Sequence, residues 1–345
     1  MSKIKVLIVD DSAVMRGMLS RAINAQPDME VIAVAPDSAL ATERIRLNPP
    51  DVITLDVEMP RVSGLEFLRQ LMSVRPIPVV MVSSLTERGT DTTLQALAYG
   101  AVDFVTKPTD PGPDGLESFG EEIADKVRAA AQSKPTRRAM RSEAAVRPPT
   151  LVPVGASSRD LIVIGASTGG VDALRVVLET LPADVPPILI AQHMPGGFTR
   201  SFAQRLDKLS AIAVSEAEDG EALRPGHAYL APGGRHLTVA RSGLGLIARV
   251  TDDAPVNRHR PSVDVLFRSA ARLKGSACLG LMLSGMGADG AEAMAELRTA
   301  GAYNLAQNEA SCVVYGMPKQ AVAAGAVHES LDVRDIAARL VELCK

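Results

Sequence analysis

Tryptophan is absent from this sequence of 345 residues, and aromatic residues make up only 3% of it. Proteins that bind single-stranded nucleic acid stack bases on aromatic side chains, so the composition argues against that class. Hydrophobic residues nevertheless account for 46% of the chain and charged residues for 22%. This balance excludes intrinsic disorder and predicts cores built from aliphatic side chains. At roughly 150 residues per domain, the length predicts two domains.

Cysteine is scarce, and hydrophobic runs are short. Cys278, Cys312 and Cys344 are widely spaced, odd in number and in no C-x-x-C pair, which argues against a disulfide framework or a zinc site. The first apolar run ends at Asp10 and Asp11 and is too short for a signal peptide. No run approaches the roughly 18 apolar residues of a membrane span. We therefore expect a reduced, cytoplasmic protein that does not insert into membranes.

Neither sign of charge dominates, because the formal net charge is −3. A chain this close to neutral lacks the basic surface of general nucleic-acid-binding or membrane-surface proteins. The charge is unevenly spread, at −6 over residues 1–133, +5 over 134–159 and −2 over 160–345. The basic segment holds four prolines and no helical or alternating period. We interpret 134–156 as a linker between domains at 1–133 and 157–345, with a nucleic-acid-binding arm as the alternative.

Apolar runs in the first domain alternate with helical spacing. The runs are continuous rather than alternating, as in parallel strands that are buried on both faces. The expected strands are 5–9, 31–35, 52–55, 79–82 and 102–105, and the expected helices are about 15–23, 38–47, 64–74, 91–99 and 116–131. Five such units predict a five-stranded, doubly wound parallel sheet.

The same alternation resumes after the linker. Strands at 161–165, 187–193 and 278–284 lead into helices that begin near Val171, Phe198 and Ala291. Between them lie three more apolar segments, HAYLAP, HLTVAR and LGLIARV, and Ser242-Gly243 predicts a hairpin turn. We therefore expect a second α/β domain whose mostly parallel sheet carries an antiparallel hairpin insertion.

Polar side chains gather at the predicted carboxyl ends of the first-domain strands, where open parallel sheets bind ligands. They are Asp10, Asp11, Asp56, Ser83 and Lys107. Three carboxylates at one edge repel each other unless a cation neutralises them, and oxygen ligands in that number suit Mg²⁺. We expect Asp10, Asp11 and Asp56 to hold Mg²⁺. A metal beside a carboxylate and a lysine favours phosphoryl transfer to that carboxylate.

This set, with Met59-Pro60 after Asp56 and Pro108 after Lys107, resembles the receiver domain of response regulators across about residues 3–123. The resemblance implies that Asp56 is the phospho-acceptor, that Asp10 and Asp11 hold Mg²⁺, that Ser83 is the switch hydroxyl, that Phe104 is the aromatic switch residue and that Lys107 contacts the phosphoryl group. Many receivers carry Thr where this chain has Ser83, which is a conservative departure.

A second candidate site begins at Gly165-Ala166-Ser167-Thr168-Gly169, between a strand and a helix. This matches G-x-S-x-G, in which flanking glycines permit a tight turn and helix amides face the hydroxyl. His193 closes the next strand and is the candidate base, and Asp289 could orient its imidazole. The order Ser, His, Asp differs from that of α/β-hydrolases. A phosphate-binding turn is the alternative, although G-x-G-x-x-G and G-K-S/T are both missing.

The second domain resembles the catalytic domain of chemotaxis protein-glutamate methylesterases (CheB type) through IGASTGG, QHMP, YLAPGGRHL, RPSVDVLF and SGMGADG. The resemblance implies that Ser167 is the nucleophile, that His193 is the general base and then acid, that Asp289 orients it, and that the Met286 N–H and the Thr168 region form the oxyanion hole. It also implies cofactor-free hydrolysis of glutamate γ-methyl esters on chemoreceptors, deamidation of receptor glutamines, and a chemotaxis histidine kinase as phosphodonor. The receiver is expected to inhibit the catalytic domain until it is phosphorylated.

Two other function classes remain open at this stage. One is a docking module whose output domain has lost catalysis, and the other is an esterase or amidase that acts on a small molecule. Of the remaining histidines, His259 could contact substrate, whereas His227, His236 and His328 are expected to be structural.

Overall fold

The computed structural model describes residues 2–59, 62–108, 112–133, 154, 157–243 and 245–345. The chain forms two compact units, Met1–Ala144 and Ala145–Lys345. Residues 134–153 and 155–156 of the predicted linker lie outside the described residues. None of the helices in the described ranges is long and apolar enough to cross a membrane.

The first unit is a parallel sheet with helices between its strands, as predicted. Its strands are β1 (Ile4–Val9), β2 (Met29–Ala35), β3 (Val52–Asp56), β4 (Val79–Ser83) and β5 (Asp103–Thr106). Its helices are α1 (Ala13–Asn24), α2 (Ser38–Leu47), α3 (Gly64–Val74), α4 (Glu87–Ala98) and α5 (Pro113–Gln132). The strand order is β2-β1-β3-β4-β5, and every pairing is parallel. All residues of β3 and β4 are buried, which explains their continuous apolar sequences.

Polar caps determine where several of these helices begin. The side chains of Ser12, Asp37 and Ser63 accept backbone N–H groups at the starts of α1, α2 and α3. Helix α4 begins at Glu87, about one turn earlier than predicted, because Thr86 caps it by accepting the Gly89 N–H at 3.0 Å. The polar first turn of α4 has no apolar periodicity, so the prediction started too late.

The second unit contains a larger parallel sheet and a separate hairpin. Its strands are β6 (Leu161–Ala166), β7 (Ile188–Gln192), β8 (Ala213–Glu216), β9 (His227–Leu230), β10 (His236–Ser242), β11 (Gly245–Thr251), β12 (Cys278–Met282), β13 (Tyr303–Gln307) and β14 (Glu329–Leu331). Its α-helices are α6 (Gly170–Leu178), α7 (Phe198–Leu209), α8 (Val263–Lys274), α9 (Ala291–Thr299), α10 (Met317–Ala323) and α11 (Val333–Cys344).

The seven strands of the larger sheet run in the order β14-β13-β12-β6-β7-β9-β8, and all their pairings are parallel. Strands β10 and β11 form the expected antiparallel hairpin, with Ser242 opposite Gly245. The HAYLAP segment belongs to the parallel sheet as β9 and not to the hairpin. A mostly parallel sheet with a hairpin insertion is therefore confirmed for the second unit.

Each sheet has a point at which the chain connections leave in opposite directions. In the first sheet this point lies between β1 and β3, and in the second it lies between β6 and β12. Connections that diverge leave a crevice at the carboxyl ends of the two strands, which is where ligands bind in such folds. Asp10 and Asp56 lie at the first crevice, and Ser167 lies at the second.

Candidate functional site

The carboxylates of Asp10, Asp11 and Asp56 converge at the first crevice. One ligand atom from each lies within 4.8 Å of the others. Asp10 and Asp56 are buried, whereas Asp11 is exposed. Within the described part of the chain, Asp10 Oδ2 is buried and forms no hydrogen bond, although the Lys107 ammonium lies 3.3 Å from it as an ion pair. A cluster of hard oxygen donors with one member open to solvent fits Mg²⁺, which binds few carboxylates and keeps several waters.

Lys107 supplies the positive charge beside this cluster. Its Nζ lies 2.8 Å from Asp56 Oδ2 and 3.3 Å from Asp10 Oδ2. Burial raises the pKa of Asp56 to about 6, despite the opposing effect of the Lys107 hydrogen bond. Burial likewise raises the pKa of Asp10. Two buried carboxylates therefore share one ammonium group, and a further cation would be stabilised at this edge.

The backbone of Ser83 lies beside Lys107 of this cluster, but the Ser83 hydroxyl forms its hydrogen bonds with residues outside the cluster. Its carbonyl accepts the Lys107 N–H at 2.8 Å. Its Oγ accepts the hydroxyl of Thr93 in α4 at 2.7 Å and faces the carbonyls of Ser84 and Gly89. Phe104 is buried in β5. The structure therefore brings Asp10, Asp11, Asp56 and Lys107 together and places the Ser83 hydroxyl against α4.

A tight turn between β6 and α6 carries Ser167. The Ser167 N–H donates to the Ser284 carbonyl at 3.0 Å, which joins this turn to the loop after β12. Gly169 has a φ of 78°, and a Cβ there would lie 2.4 Å from Val313 Cβ and 2.8 Å from Ser284 Oγ. Only glycine meets both requirements, the left-handed backbone and the close approach. Ser167 is thereby held at the carboxyl end of β6.

His193 lies directly across from Ser167. Ala166 pairs with Gln192 in the sheet, so Ser167 and His193 are the next residues on the two neighbouring strands. The His193 N–H donates to the Ala166 carbonyl at 3.0 Å. Gln192 Nε2 donates to the carbonyls of Ser167 and His193, at 3.0 and 3.1 Å. One side-chain amide thus fixes the backbones of both residues.

The imidazole of His193 is oriented by Asp289. Its Nε2 lies 2.8 Å from Asp289 Oδ2. Burial alone would raise the pKa of Asp289, but hydrogen bonds from His193, Asn257 and Ser262 hold that pKa well below its ordinary value. An ionised carboxylate can only accept, so Nε2 carries the proton. Among the described residues His193 Nδ1 is buried and has no partner, which leaves this atom for proton transfer. Within the ranges that the structure describes, no hydrogen bond joins His193 Nδ1 to Ser167 Oγ.

The loop after β12 approaches the nucleophile closely. A Cβ added to Gly285 would lie 2.9 Å from Ser167 Cβ, so the backbone that leads into Met286 passes beside the serine. Met286 is half-buried, and its N–H donates to no acceptor in the described ranges. The carbonyl of Thr168 accepts the Ser284 hydroxyl at 2.8 Å. The loop beside Ser167 therefore carries a backbone N–H that has no acceptor among the described residues.

One of the other four histidines lies against His193, and the remaining three form hydrogen bonds with other residues. The ring of His259 stacks on His193 with a centroid distance of 3.7 Å and an interplanar angle of 14°. His227 lies 2.8 Å from Ser215 Oγ, and the ring nitrogens of His236 contact the Ala254 carbonyl and the Ser262 N–H. His328 Nδ1 accepts the Asn304 N–H at 3.0 Å.

Four residues that contact the candidate site were not singled out from the sequence. They are Gln192, Asn257, Ser262 and Ser284. The available signals were the polar run NRHRPS directly before an apolar helical pattern and a glutamine at the end of a buried strand. Both are weak signals, because polar side chains are also common in ordinary turns and strand ends.

The fold and the two residue clusters define a class: a receiver-type sheet with an acidic edge is joined in one chain to a hydrolase-type α/β unit with Ser, His and Asp at its sheet edge. A family model described as CheB methylesterase matches residues 162–340, and one described as response regulator receiver domain matches residues 6–113. The chain belongs to the CheB methylesterase family and carries a receiver domain. The resemblance drawn from the sequence is confirmed.

Similar proteins cover nearly the whole chain. Relatives from Paraburkholderia xenovorans and Bordetella parapertussis are 55% and 56% identical to it and cover 99% of it, and the chain covers 96% and 97% of them. Both are named protein-glutamate methylesterase/protein-glutamine glutaminase. The crystal structure of the Thermotoga maritima CheB methylesterase catalytic domain aligns with a TM-score of 0.53 and 37% identity, over 54% of this chain and 98% of that one. This likeness confirms the fold of the second unit.

Proposed function

We propose that this chain is a phosphorylation-regulated chemotaxis protein-glutamate methylesterase that also deamidates receptor glutamines. The observation that carries the proposal is the arrangement at the ends of β6 and β7. His193 Nε2 is held by Asp289 at 2.8 Å, and His193 Nδ1 has no hydrogen-bond partner among the described residues. His193 directly follows β7, and Ser167 directly follows the neighbouring strand β6. The names of the 55%-identical relatives support the substrate class.

The chemistry is acyl transfer to serine. Ser167 Oγ attacks the γ-carbonyl carbon of a glutamate methyl ester while His193 Nδ1 takes the hydroxyl proton. The carbon–oxygen bond to methoxide then breaks, and the imidazolium donates its proton so that methanol leaves. Water attacks the acyl-enzyme with His193 again as base, which releases the glutamate side chain and restores Ser167. Asp289 stabilises the imidazolium in both halves of the reaction.

The oxyanion of each tetrahedral intermediate needs donors that are already in place. We assign this role to the Met286 N–H, supported by the close approach of the Gly285 backbone to Ser167, and to the Thr168 region at the start of α6. Deamidation follows the same path with ammonia as leaving group. Because an amide nitrogen leaves poorly unless it is protonated, that activity depends more strongly on His193 as acid.

Asp56 is the proposed phospho-acceptor of the receiver. An oxygen of its carboxylate attacks the phosphorus of a phosphohistidine on a chemotaxis kinase, so that a P–O bond forms and the P–N bond breaks. Lys107, 2.8 Å from Asp56, would then neutralise the phosphoryl oxygens. Asp10, Asp11 and Asp56 are the residues that would hold Mg²⁺, and the bound ion supplies neutralisation of charge on the phosphoryl group.

Regulation is proposed to depend on the receiver at 1–133, the linker at 134–156 and the catalytic domain at 157–345. The Ser83 hydroxyl, now paired with Thr93 of α4, would leave that partner to bond the phosphoryl group. Its movement, together with that of Phe104, would shift the receiver from a state that inhibits the esterase to one that does not.

Methanol release from methylated chemoreceptor fragments, with and without a small phosphodonor, tests the proposal. Wild type should release methanol faster with phosphodonor and Mg²⁺, and Ser167→Ala should release none above background. If methanol comes from soluble esters but never from receptor fragments, the chain is a small-molecule esterase instead. If Ser167→Ala keeps the wild-type rate, the serine mechanism is wrong.

Asp56→Asn provides the matched test of the receiver. This variant should keep basal methanol release and lose stimulation by the phosphodonor, because the amide cannot form an acyl phosphate. Chelation of Mg²⁺ should have the same effect on the wild type, since only phosphorylation needs the ion. Loss of basal activity on chelation would contradict a metal-free esterase mechanism.

A further inference from the structure

Two helices of the catalytic unit begin at the same place and cap each other. Asp289, two residues before α9, accepts the N–H groups of Val263 and Asp264 at the start of α8, at 2.6 and 3.4 Å. Asp264, in the first turn of α8, accepts the N–H groups of Gly290 and Ala293 at the start of α9, at 3.0 and 3.2 Å. Each carboxylate therefore satisfies the orphan donors of the other helix.

This reciprocal capping brings two buried negative charges close together. The side chain of Asn257 lies between them, because its Nδ2 donates one hydrogen to Asp289 Oδ1 at 2.8 Å and the other to Asp264 Oδ2 at 2.9 Å. An amide nitrogen has two hydrogens, so this bridge uses its full donor capacity. The bridge fixes the position of Asp289 Oδ1, the oxygen that does not face His193.

The backbone at Asn257 is shaped for this bridge. Asn257 and Arg258 have φ values of 52° and 64°, the two non-glycine residues in the described chain with positive φ. Val256 and His259 exchange both backbone hydrogen bonds across them, at 3.1 and 2.9 Å. Two left-handed residues inside such a closed turn cost free energy, and strain of this kind persists where the surroundings enforce it. Asparagine tolerates this conformation better than most residues.

We propose that Asn257 is a positioning residue of the esterase, which holds the Asp289 carboxylate in the orientation that presents Oδ2 to His193. This inference rests on the proposed function and adds a residue to it. Asn257 does not touch the reacting atoms and acts through Asp289. Ser262 supports the same oxygen, since its Oγ donates to Asp289 Oδ1 at 2.8 Å.

The charged and titratable groups around Asp289 set the direction of the expected effect. They are His193 after β7, His259 stacked on it, Asp264 and Arg268 of α8, and His236 behind Ser262. Without the Asn257 amide, Asp264 and Asp289 lose the donor that both share. More of their negative charge then falls on His193, so its protonated form is favoured and the acid limb of activity moves to higher pH.

The test compares Asn257→Gly and Asn257→Asp with Arg258→Gly in the full chain. Glycine keeps the positive φ and removes the amide, whereas aspartate keeps the shape and replaces the donor with an acceptor. Arg258→Gly is the matched control at the other positive-φ position of the turn. Methanol release from receptor fragments gives kcat and KM against pH, and NMR titration of the histidine rings gives the pKa of His193 without turnover.

For both Asn257 variants we expect kcat to fall about tenfold or more, with KM changed by less than about twofold. The acid limb and the His193 titration should both move upward by about half a pH unit or more. Arg258→Gly should stay within about twofold of wild type in kcat. Unchanged kcat, an unshifted or lowered His193 titration, or an equal loss in the control would overturn the inference. Wild type without methanol release would instead count against the proposed function, while the NMR titration would still decide the role of Asn257.

Discussion

Replacing Asp289 by asparagine should damage stability and catalysis together, and the contacts of the carboxylate allow the size of both effects to be worked out. Four donors lie within 2.8 Å of its two oxygens: His193 Nε2 and the Val263 N–H at Oδ2, and Asn257 Nδ2 and Ser262 Oγ at Oδ1. An amide offers one acceptor oxygen, so either rotamer places its NH₂ group against two of these donors.

The expected loss of stability follows from two broken charge-assisted hydrogen bonds. At about 1.5 kcal/mol each, the free energy of unfolding at pH 7 should fall by about 3 kcal/mol. For a unit of this size that corresponds to a decrease in Tm of roughly 6–12 °C. In the rotamer that faces His193, the NH₂ group would force the imidazole into the wrong tautomer, and the same substitution in a serine protease lowers kcat by about 10⁴-fold.

The effect on stability should depend on pH in a defined direction. Because the folded-state pKa of Asp289 is depressed, its contribution is present above the unfolded pKa of about 3.9 and is lost as the pH falls through the folded value. Urea unfolding of wild type and Asp289→Asn at pH 7, 5 and 3 measures this. The difference in the free energy of unfolding between the two proteins should be similar at pH 7 and 5 and smaller at pH 3. A difference that stays constant down to pH 3, or a variant with wild-type kcat, would refute the reasoning.

Two further predictions concern backbone and thiols. Gly169→Ala should lower the free energy of unfolding by about 3 kcal/mol, because it adds a clash with Val313 and Ser284 to the strain of positive φ. The control Gly234→Ala, at a φ of 80° with nothing within 4 Å of its Cβ position, should lower it by about 1 kcal/mol. Equal losses in thermal unfolding would contradict the close approach of Gly169 to Val313 and Ser284. Burial raises the pKa of Cys278 and Cys312 to about 12 and that of Cys344 to about 11, so iodoacetamide at pH 8 should label the native protein slowly and all three thiols rapidly after unfolding. Rapid labelling of Cys278 in the native protein, detected by mass spectrometry, would contradict the burial of this thiol.

The strands that could be predicted were those whose burial shows directly in their sequences. The strands β1, β3, β4, β6 and β12 consist mainly of aliphatic residues, because both faces of a parallel sheet are covered. Strand β13 escaped prediction because Asn304 and Gln307 are buried in it. Asn304 Nδ2 donates to the carbonyls of Met294 and Ala326, and Gln307 Oε1 accepts the Ser284 N–H. Only tertiary contacts make these polar side chains suitable for a core strand.

The candidate site divides in the same way. Ser167 and His193 could be predicted because each follows a recognisable strand, and Asp289 because it lies in a glycine-rich turn after another. The role of Asn257 could not be predicted, because it depends on a two-residue left-handed turn and on the Asp289 carboxylate, 32 positions away in sequence. The Ser83 hydroxyl was expected to serve the phosphoryl group, whereas in this structure it bonds Thr93. Its expected role requires a rearrangement that a sequence pattern does not describe.

The reciprocal caps make stability and catalysis hard to separate in this fold. Asp289 is at once the acceptor for the first N–H groups of α8 and the partner of His193. A substitution that abolishes its charge removes both roles, so loss of activity in Asp289→Asn does not by itself demonstrate a catalytic role. Asn257 offers the cleaner separation, because its side-chain amide donates to the two carboxylates and its removal leaves the capping hydrogen bonds of Val263 and Gly290 in place. Asn257→Gly also breaks two hydrogen bonds to carboxylates, so some loss of stability is expected. A fall in kcat measured at a temperature where this variant is fully folded would therefore distinguish the orientation of His193 from the integrity of the helices.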